Sequence, residues 1–168
     1  MEADELIAKL GLKPLPIEGG YFAETYRSDE TISASALRPG RGRDKAVSSA
    51  IYYLLTPDTV SRMHRLASDE VFHFYAGDAV EMLMMFADGA SEVVLIGSDI
   101  EAGQRPQAVV PRGVWQGCRL IAGGKCALMG TTVAPAFDFD DYEPGDRNDL
   151  IRRYPDRADL ILHLTQGV

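Results

Sequence analysis

MHRLASDEVFHFYAGD, Met63 to Asp78, is the stretch whose reading decides the fold. It holds two of the chain's three histidines and a glutamate within an otherwise apolar run. Val71, Phe72, Phe74 and Tyr75 favour a strand. Glu70 therefore enters a sheet, where burying its carboxylate is costly unless it faces a polar cavity or a partner.

Segments of the same kind recur on both sides: GYFAETYRS, AVSSAIYYLLT, AVEMLMMFA, SEVVLIG, PQAVVP, GCRLIAG and KCALMGTTVA, bounded by Gly, Pro, Asp or Ser. About eight such strands with no helical period between them predict an antiparallel sandwich or barrel rather than alternating β-α units. Asp-Gly in Ala87–Ala90 and Gly-Gly in Ala122–Lys125 supply turns. Short helices flank the strands. Asp4 is expected to cap one through Leu10, with Leu6, Ile7 and Leu10 on one face and Gly11 as its stop. Asp146 is expected to cap a second helix through Arg153, and Asp156, after the breaking Pro155, a last one ending near Thr165 with Leu160, Ile161 and Leu164 inward. The chain reads as one unit over residues 1–168, with a core at about 18–135 and a helical tail from 136.

The composition, 46% hydrophobic and 25% charged over 168 residues, is that of a folded protein. A net charge of −8 argues against nucleic acid as a partner. The one basic run, Arg38 to Lys45, reads as a solvated loop, with an anion site or pocket rim as the alternative. MEADELIAKLGL lacks the basic start and apolar stretch of a signal peptide, and no window is apolar enough to span a bilayer, so a cytoplasmic, membrane-free protein is expected. Cys118 and Cys126 flank the Gly-Gly turn; they either face each other across a hairpin or are two small core residues.

A second informative stretch, VVPRGVWQGCR from Val109 to Arg119, places a Pro-x-Gly turn before Trp115 and Gln116. Together the two stretches resemble the paired motifs of the cupin superfamily: a His-x-His pair followed by Glu and Gly, then Pro-x-Gly followed by His. His64 matches the first histidine, Glu70 the glutamate, Gly77 the glycine, and Pro111 and Gly113 the later turn. Leu66 stands in place of the second histidine and Gln116 in place of the third. The signature EGGYFAETYRS, HRLASDEVFHFYAGD, PRGVWQ and APAFDFDDYEPGDRNDLIRRYP resembles a cupin branch known as a domain of unknown function, over about Leu6 to Thr165. The resemblance implies an all-β jelly-roll barrel, a pocket at the barrel mouth and a homodimer. Cupins of the usual pattern hold a divalent transition metal on three imidazoles and a carboxylate. With Leu66 and Gln116 substituted, no metal or other cofactor is expected here; the alternative is a weak site on His64, Glu70 and Gln116, with His73 as a further candidate.

His64 and Glu70 are the candidate catalytic residues, an imidazole that a nearby carboxylate tunes toward neutral pH. Their structural alternatives are a hydrogen-bonded wall residue and a carboxylate paired with Arg62 or Arg65. His73, at odd spacing from Glu70, points to the opposite face and reads as a packing or interface residue; His163 reads as a surface one. Phe72 and Phe74 share the parity of Glu70 and can wall a ligand. Gln116 can fix a polar group without charge, Trp115 can cover the pocket or a dimer seam, and Phe22, Glu24 and Tyr26 share one face of their strand. That strand also looks like the Gly-Phe-Phe-x-Glu strand of deoxysugar-nucleotide epimerases. The leading reading is a jelly roll that binds a small polar metabolite, such as a sugar, nucleotide or acid, in its cavity. The rivals are a carbohydrate isomerase or epimerase with His64 as base, a metal-dependent dioxygenase, and a scaffold with a vestigial pocket. Whether the protein is an enzyme is left open by the residues.

Overall fold

The computed structural model describes residues 2–38 and 42–165. Helix α1 (Ala3–Leu10) precedes the strands β1 (Lys13–Pro14), β2 (Tyr21–Arg27), β3 (Thr31–Ile32), β4 (Lys45–Ala46), β5 (Ser49–Leu55), β6 (Val60–Leu66) and β7 (Asp69–Gly77). Then come β8 (Val80–Met85), β9 (Ser91–Ile96), β10 (Gln107–Val110), β11 (Trp115–Leu120), β12 (Ala127–Ala134) and β13 (Tyr142–Pro144), and finally helices α2 (Arg147–Arg153) and α3 (Ala158–Leu164). The fold is mainly antiparallel β with short terminal helices, the sandwich predicted from the strand pattern, in the jelly-roll form that the resemblance implies.

One sheet runs β1-β2-β5-β12-β7-β10 and faces a second, β13-β6-β11-β8-β9. Alternation along each strand builds the layers. Tyr53, Leu55, Phe72, Met82, Met84, Cys118 and Met129 fill the space between the sheets. Leu54 and Tyr52 point the other way, to meet Leu6, Ile7 and Leu10 of α1. On the outside of the second sheet Met63, Leu83 and Met85 are covered by Leu150 and Tyr154, and by Ile161 and Leu164 of α3.

The turns and caps obey local chemistry with three departures. Asp88-Gly89 closes the β8–β9 hairpin, Gly89 taking φ +91° and Asp88 accepting the Ala90 amide at 3.0 Å. Gly11 ends α1 in the left-handed conformation, and Asp146 caps α2 by accepting the Asp149 amide at 2.8 Å. Asp4, however, lies inside the first turn of α1, whose cap position is Glu2. Asp156 likewise does not cap α3: it falls in a 3-10 turn, Pro155–Arg157, that leads into it. The third departure is the Gly-Gly turn, which joins no hairpin. Strand β11 pairs with β6 and β8, whereas β12 pairs with β5 and β7, so Ala122–Lys125 carries the chain from one sheet to the other. Cys118 therefore sits between the sheets and Cys126 under α1, both buried and too differently placed to be bonded to each other.

The basic run is only partly solvated. Pro39, Gly40 and Arg41 lie outside the described residues, but the Lys45 side chain is 1% exposed, with Nζ 2.8 Å from Asp138 and 2.9 Å from Asp141. Arg43 reaches Asp138 and Asp140 at 3.1 and 3.0 Å. The acidic segment after β12 neutralises these cations, a pairing that sequence separation hides. No helix of the described residues is long and apolar enough to cross a membrane.

Candidate functional site

Strands β6 and β11 pair with Gln116 opposite His64, which turns both side chains into the space between the sheets. Glu70 enters the same space from β7, on the facing sheet. Gln116 Nε2 donates to Glu70 Oε2 at 2.6 Å and so bridges the sandwich. The Glu70 carboxyl is raised to about 7, chiefly by burial and then by the Glu18 carboxylate, while His64, Gln116 and Thr131 act in the opposite direction. The other amide atom of this bridge, Gln116 Oε1, is buried without a hydrogen-bond partner.

His64 is 1% exposed, and its ring stacks on Tyr142 with centroids 4.8 Å apart. Nδ1 lies 2.7 Å from the Arg62 carbonyl oxygen. A carbonyl only accepts, so Nδ1 carries the proton and Nε2 keeps a lone pair in the neutral ring. Nε2 is 3.9 Å from Glu18 Oε2, too far for a direct hydrogen bond.

Glu18 is the residue that reading the sequence missed. It precedes Gly19 and Gly20, which adopt φ of +101° and +69°. A Cβ at Gly19 would stand 2.2 Å from the Val60 carbonyl oxygen, so the loop reaches β6 only with glycine there. The Arg62 amide donates to the Glu18 carbonyl at 2.8 Å, and the Tyr53 hydroxyl donates to the Gly19 carbonyl at 2.9 Å. Pinned in this way, the Glu18 side chain accepts from Ser61 Oγ at 2.6 Å. The available signal was an acid directly before a double glycine in EGGYF.

Of these groups Glu18 and Glu70 border a cleft of about 170 Å³. Leu15, Phe22, Ile51 and Val133 form apolar walls, Glu18, Ser49, Glu70 and Thr131 line it with polar groups, and Glu24 and Arg27 pair with each other at 2.7 Å. Phe137, Asp138 and Phe139, from the acidic segment held by Lys45, form the remaining side.

The structure brings His64, Glu70 and Gln116 together, and places Phe22 and Glu24 along the cleft with Glu70. It places the other predicted ligand contacts elsewhere. Register slips by one residue at Thr25, since Glu24 pairs with Ile51 but Tyr26 with Ala50. Such a bulge reverses the facing of the residues beyond it, so Arg27 succeeds Glu24 in the cleft and Tyr26 is 55% exposed outside it. Phe72 is buried in the core with Phe74 packed against that core, and neither borders the cleft. Trp115 packs on the outer side of the second sheet, 4.5 Å beneath the Arg65 guanidinium. His73 faces away from Glu70, bonded to Gln107 and Thr132 at 3.2 Å each. His163 is half-buried rather than on the open surface, and that burial lowers its pKa.

The donor set does not fit the divalent metal that the cupin motifs imply. Leu66 has no lone pair, Gln116 directs an amide N–H at Glu70, and among the described residues no three His, Cys, Asp or Glu side chains converge as metal ligands.

Two facing antiparallel sheets that close on a polar cleft define a jelly roll of the cupin class. The chain belongs to the Cupin superfamily (DUF985), whose family model matches residues 4–144. An uncharacterised protein of Saccharomyces cerevisiae, YML079W, is 32% identical over 134 residues, covering 74% of this chain and 66% of that protein, slightly less than two thirds of its length. A hypothetical protein from Leishmania major has the same fold, with a TM-score of 0.87, 28% identity and coverage of 98% and 99% of the two chains. A crystal structure of a Shewanella oneidensis protein superposes with a TM-score of 0.86 at 32% identity, covering 100% and 99%. Bacillus subtilis oxalate decarboxylase shares the fold alone, at 12% identity and a TM-score of 0.52, over 88% of this chain and 36% of that one.

Proposed function

We propose that this cupin binds a small polar molecule of about monosaccharide size in the cleft, with Glu70 as its principal contact. The observation that carries this reading is a buried carboxyl, titrating at about 7, among the lining groups of a cleft of about 170 Å³ with apolar walls. The volume is below the roughly 300–1,000 Å³ of pockets for drug-sized ligands, which favours a sugar-sized guest over a nucleotide. Glu18, Glu24, Glu70 and Asp138 border the cleft against one cation, Arg27, which Glu24 already engages. That balance favours an uncharged or cationic guest over an acid.

The titration range of Glu70 supports a second reading, proton exchange with the guest as in an isomerase or epimerase. Glu70 rather than His64 would then be the acid-base group, because His64 lies outside the cleft wall and spends Nδ1 on a carbonyl. Titrating the full chain with a panel of neutral monosaccharides, monitored through amide chemical shifts, tests the binding. The expected result is saturable shifts around Glu70 that weaken by about tenfold in Glu70→Gln. Affinity unchanged by that substitution, or shifts confined to other surfaces, would remove the cleft from the function.

A further inference from the structure

The inner end of the cleft is rich in acceptors, while most of the neighbouring donors are committed to protein partners. Glu18 and Glu70 contribute carboxyl oxygens; behind this wall Gln116 Oε1 is buried and unpartnered beside the bond its own amide nitrogen makes to Glu70, and His64 Nε2 lies 3.9 Å from Glu18. Of the neighbouring donors, Ser61 Oγ–H is given to Glu18, Gln116 N–H to Glu70, the Tyr53 hydroxyl to Gly19 and the Tyr142 hydroxyl to Ile17; the Thr131 hydroxyl faces Glu70. The nearest cations are spent as well, Arg27 on Glu24 and Lys45 on Asp138 and Asp141.

On the basis of the small-molecule reading above, we infer that the group recognised between Glu18, Glu70 and Gln116 is a protonated amine. An ammonium carries three N–H donors, no acceptor and one positive charge, so it answers every feature of this lining at once. A hydroxyl brings one donor, and its own lone pairs then meet further acceptors. A carboxylate or phosphate brings only acceptors and the wrong sign of charge. The buried Gln116 Oε1 is the particular mark, because an orphaned buried acceptor is destabilising unless something donates to it. The apolar walls from Leu15, Phe22, Ile51 and Val133 then take the hydrocarbon part of the guest.

Three probes of one size and differing charge test this: ethanolamine, ethylene glycol and glycolate, each titrated into the full chain at pH 8 and constant ionic strength, with binding read from NMR shifts. An alkylamine is charged at that pH. The expected result is saturable ethanolamine binding about tenfold or more tighter than ethylene glycol, no saturation by glycolate, and shifts in the wild-type chain centred on Glu18, Glu70 and Gln116. Glu18→Gln and Gln116→Leu are expected to weaken ethanolamine by about tenfold each; if either variant does not fold, the wild-type shift map decides. Ethylene glycol or glycolate binding as tightly as ethanolamine would overturn the amine and leave the small-molecule cleft standing. Silence from all three probes at these residues would overturn both. Manganese(II) alone perturbing the site, with ethanolamine silent, would also overturn the amine.

Discussion

The Glu70 carboxyl is buried beside a second carboxylate and receives one amide N–H at 2.6 Å, an environment that favours its protonated form. The consequence for stability has a definite sign. In the unfolded chain the group titrates near 4.5 and in the folded protein at about 7, so between those values the folded state binds more protons. Stability from this group is complete below pH 4.5 and is lost as pH rises through 7, by on the order of 3 kcal/mol. Urea unfolding from pH 5 to 8 is expected to show this decline in the wild type and a flatter profile in Glu70→Gln; parallel profiles would contradict it. His64, Glu70 and Gln116 were legible because motif spacing identifies positions that the strands turn inward. Glu18 was not, since its place depends on a glycine loop docking against β6, far along the chain.

Two elements position the cleft. The Gly19-Gly20 loop sets Glu18, and Gly19→Ala puts a Cβ 2.2 Å from a carbonyl at φ +101°. We expect a loss of about 3 kcal/mol or more, measured by thermal unfolding, with the Glu18–Ser61 bond broken. The second element is the acidic segment that carries Phe137 and Phe139. Lys45→Met takes their shared cation from Asp138 and Asp141, and since Asp138 is partly solvated the cost should fall below the 3–5 kcal/mol typical of fully buried pairs, at about 2 kcal/mol. Faster amide exchange at residues 137–141 is the accompanying sign, and exchange unchanged from wild type would show that the segment is held otherwise. The alternation of β2 was readable as far as Glu24. The bulge at Thr25 was not, because a bulge is set by pairing with β5 rather than by β2 itself.

At the scale of the whole molecule, no strand of the described residues pairs with the outer edge of β10 in the larger sheet, and Tyr75 and Val109 are exposed on that sheet's outer side. Open strand edges and exposed apolar side chains are usually covered, most often by a second copy about a two-fold axis. We propose a homodimer on this ground; light scattering is expected to give twice the 18.4 kDa chain mass, and a value equal to one chain would contradict it. The sequence by itself determined the strand-rich class, the Asp88-Gly89 turn, the approximate helix limits, and, through the motif resemblance, the positions His64, Glu70 and Gln116. The strands, turn and helices arise from preferences carried over a few neighbouring residues, whereas the three site positions were read from the motif resemblance. Only the tertiary structure decided that Arg27 rather than Tyr26 lines the cleft, that Ala122–Lys125 crosses between sheets and separates the two thiols, that Lys45 is buried by distant aspartates, and that Glu18 joins Glu70. Each of these is a contact between segments far apart in the chain, where a slip of one residue in register turns a side chain from the interior to water.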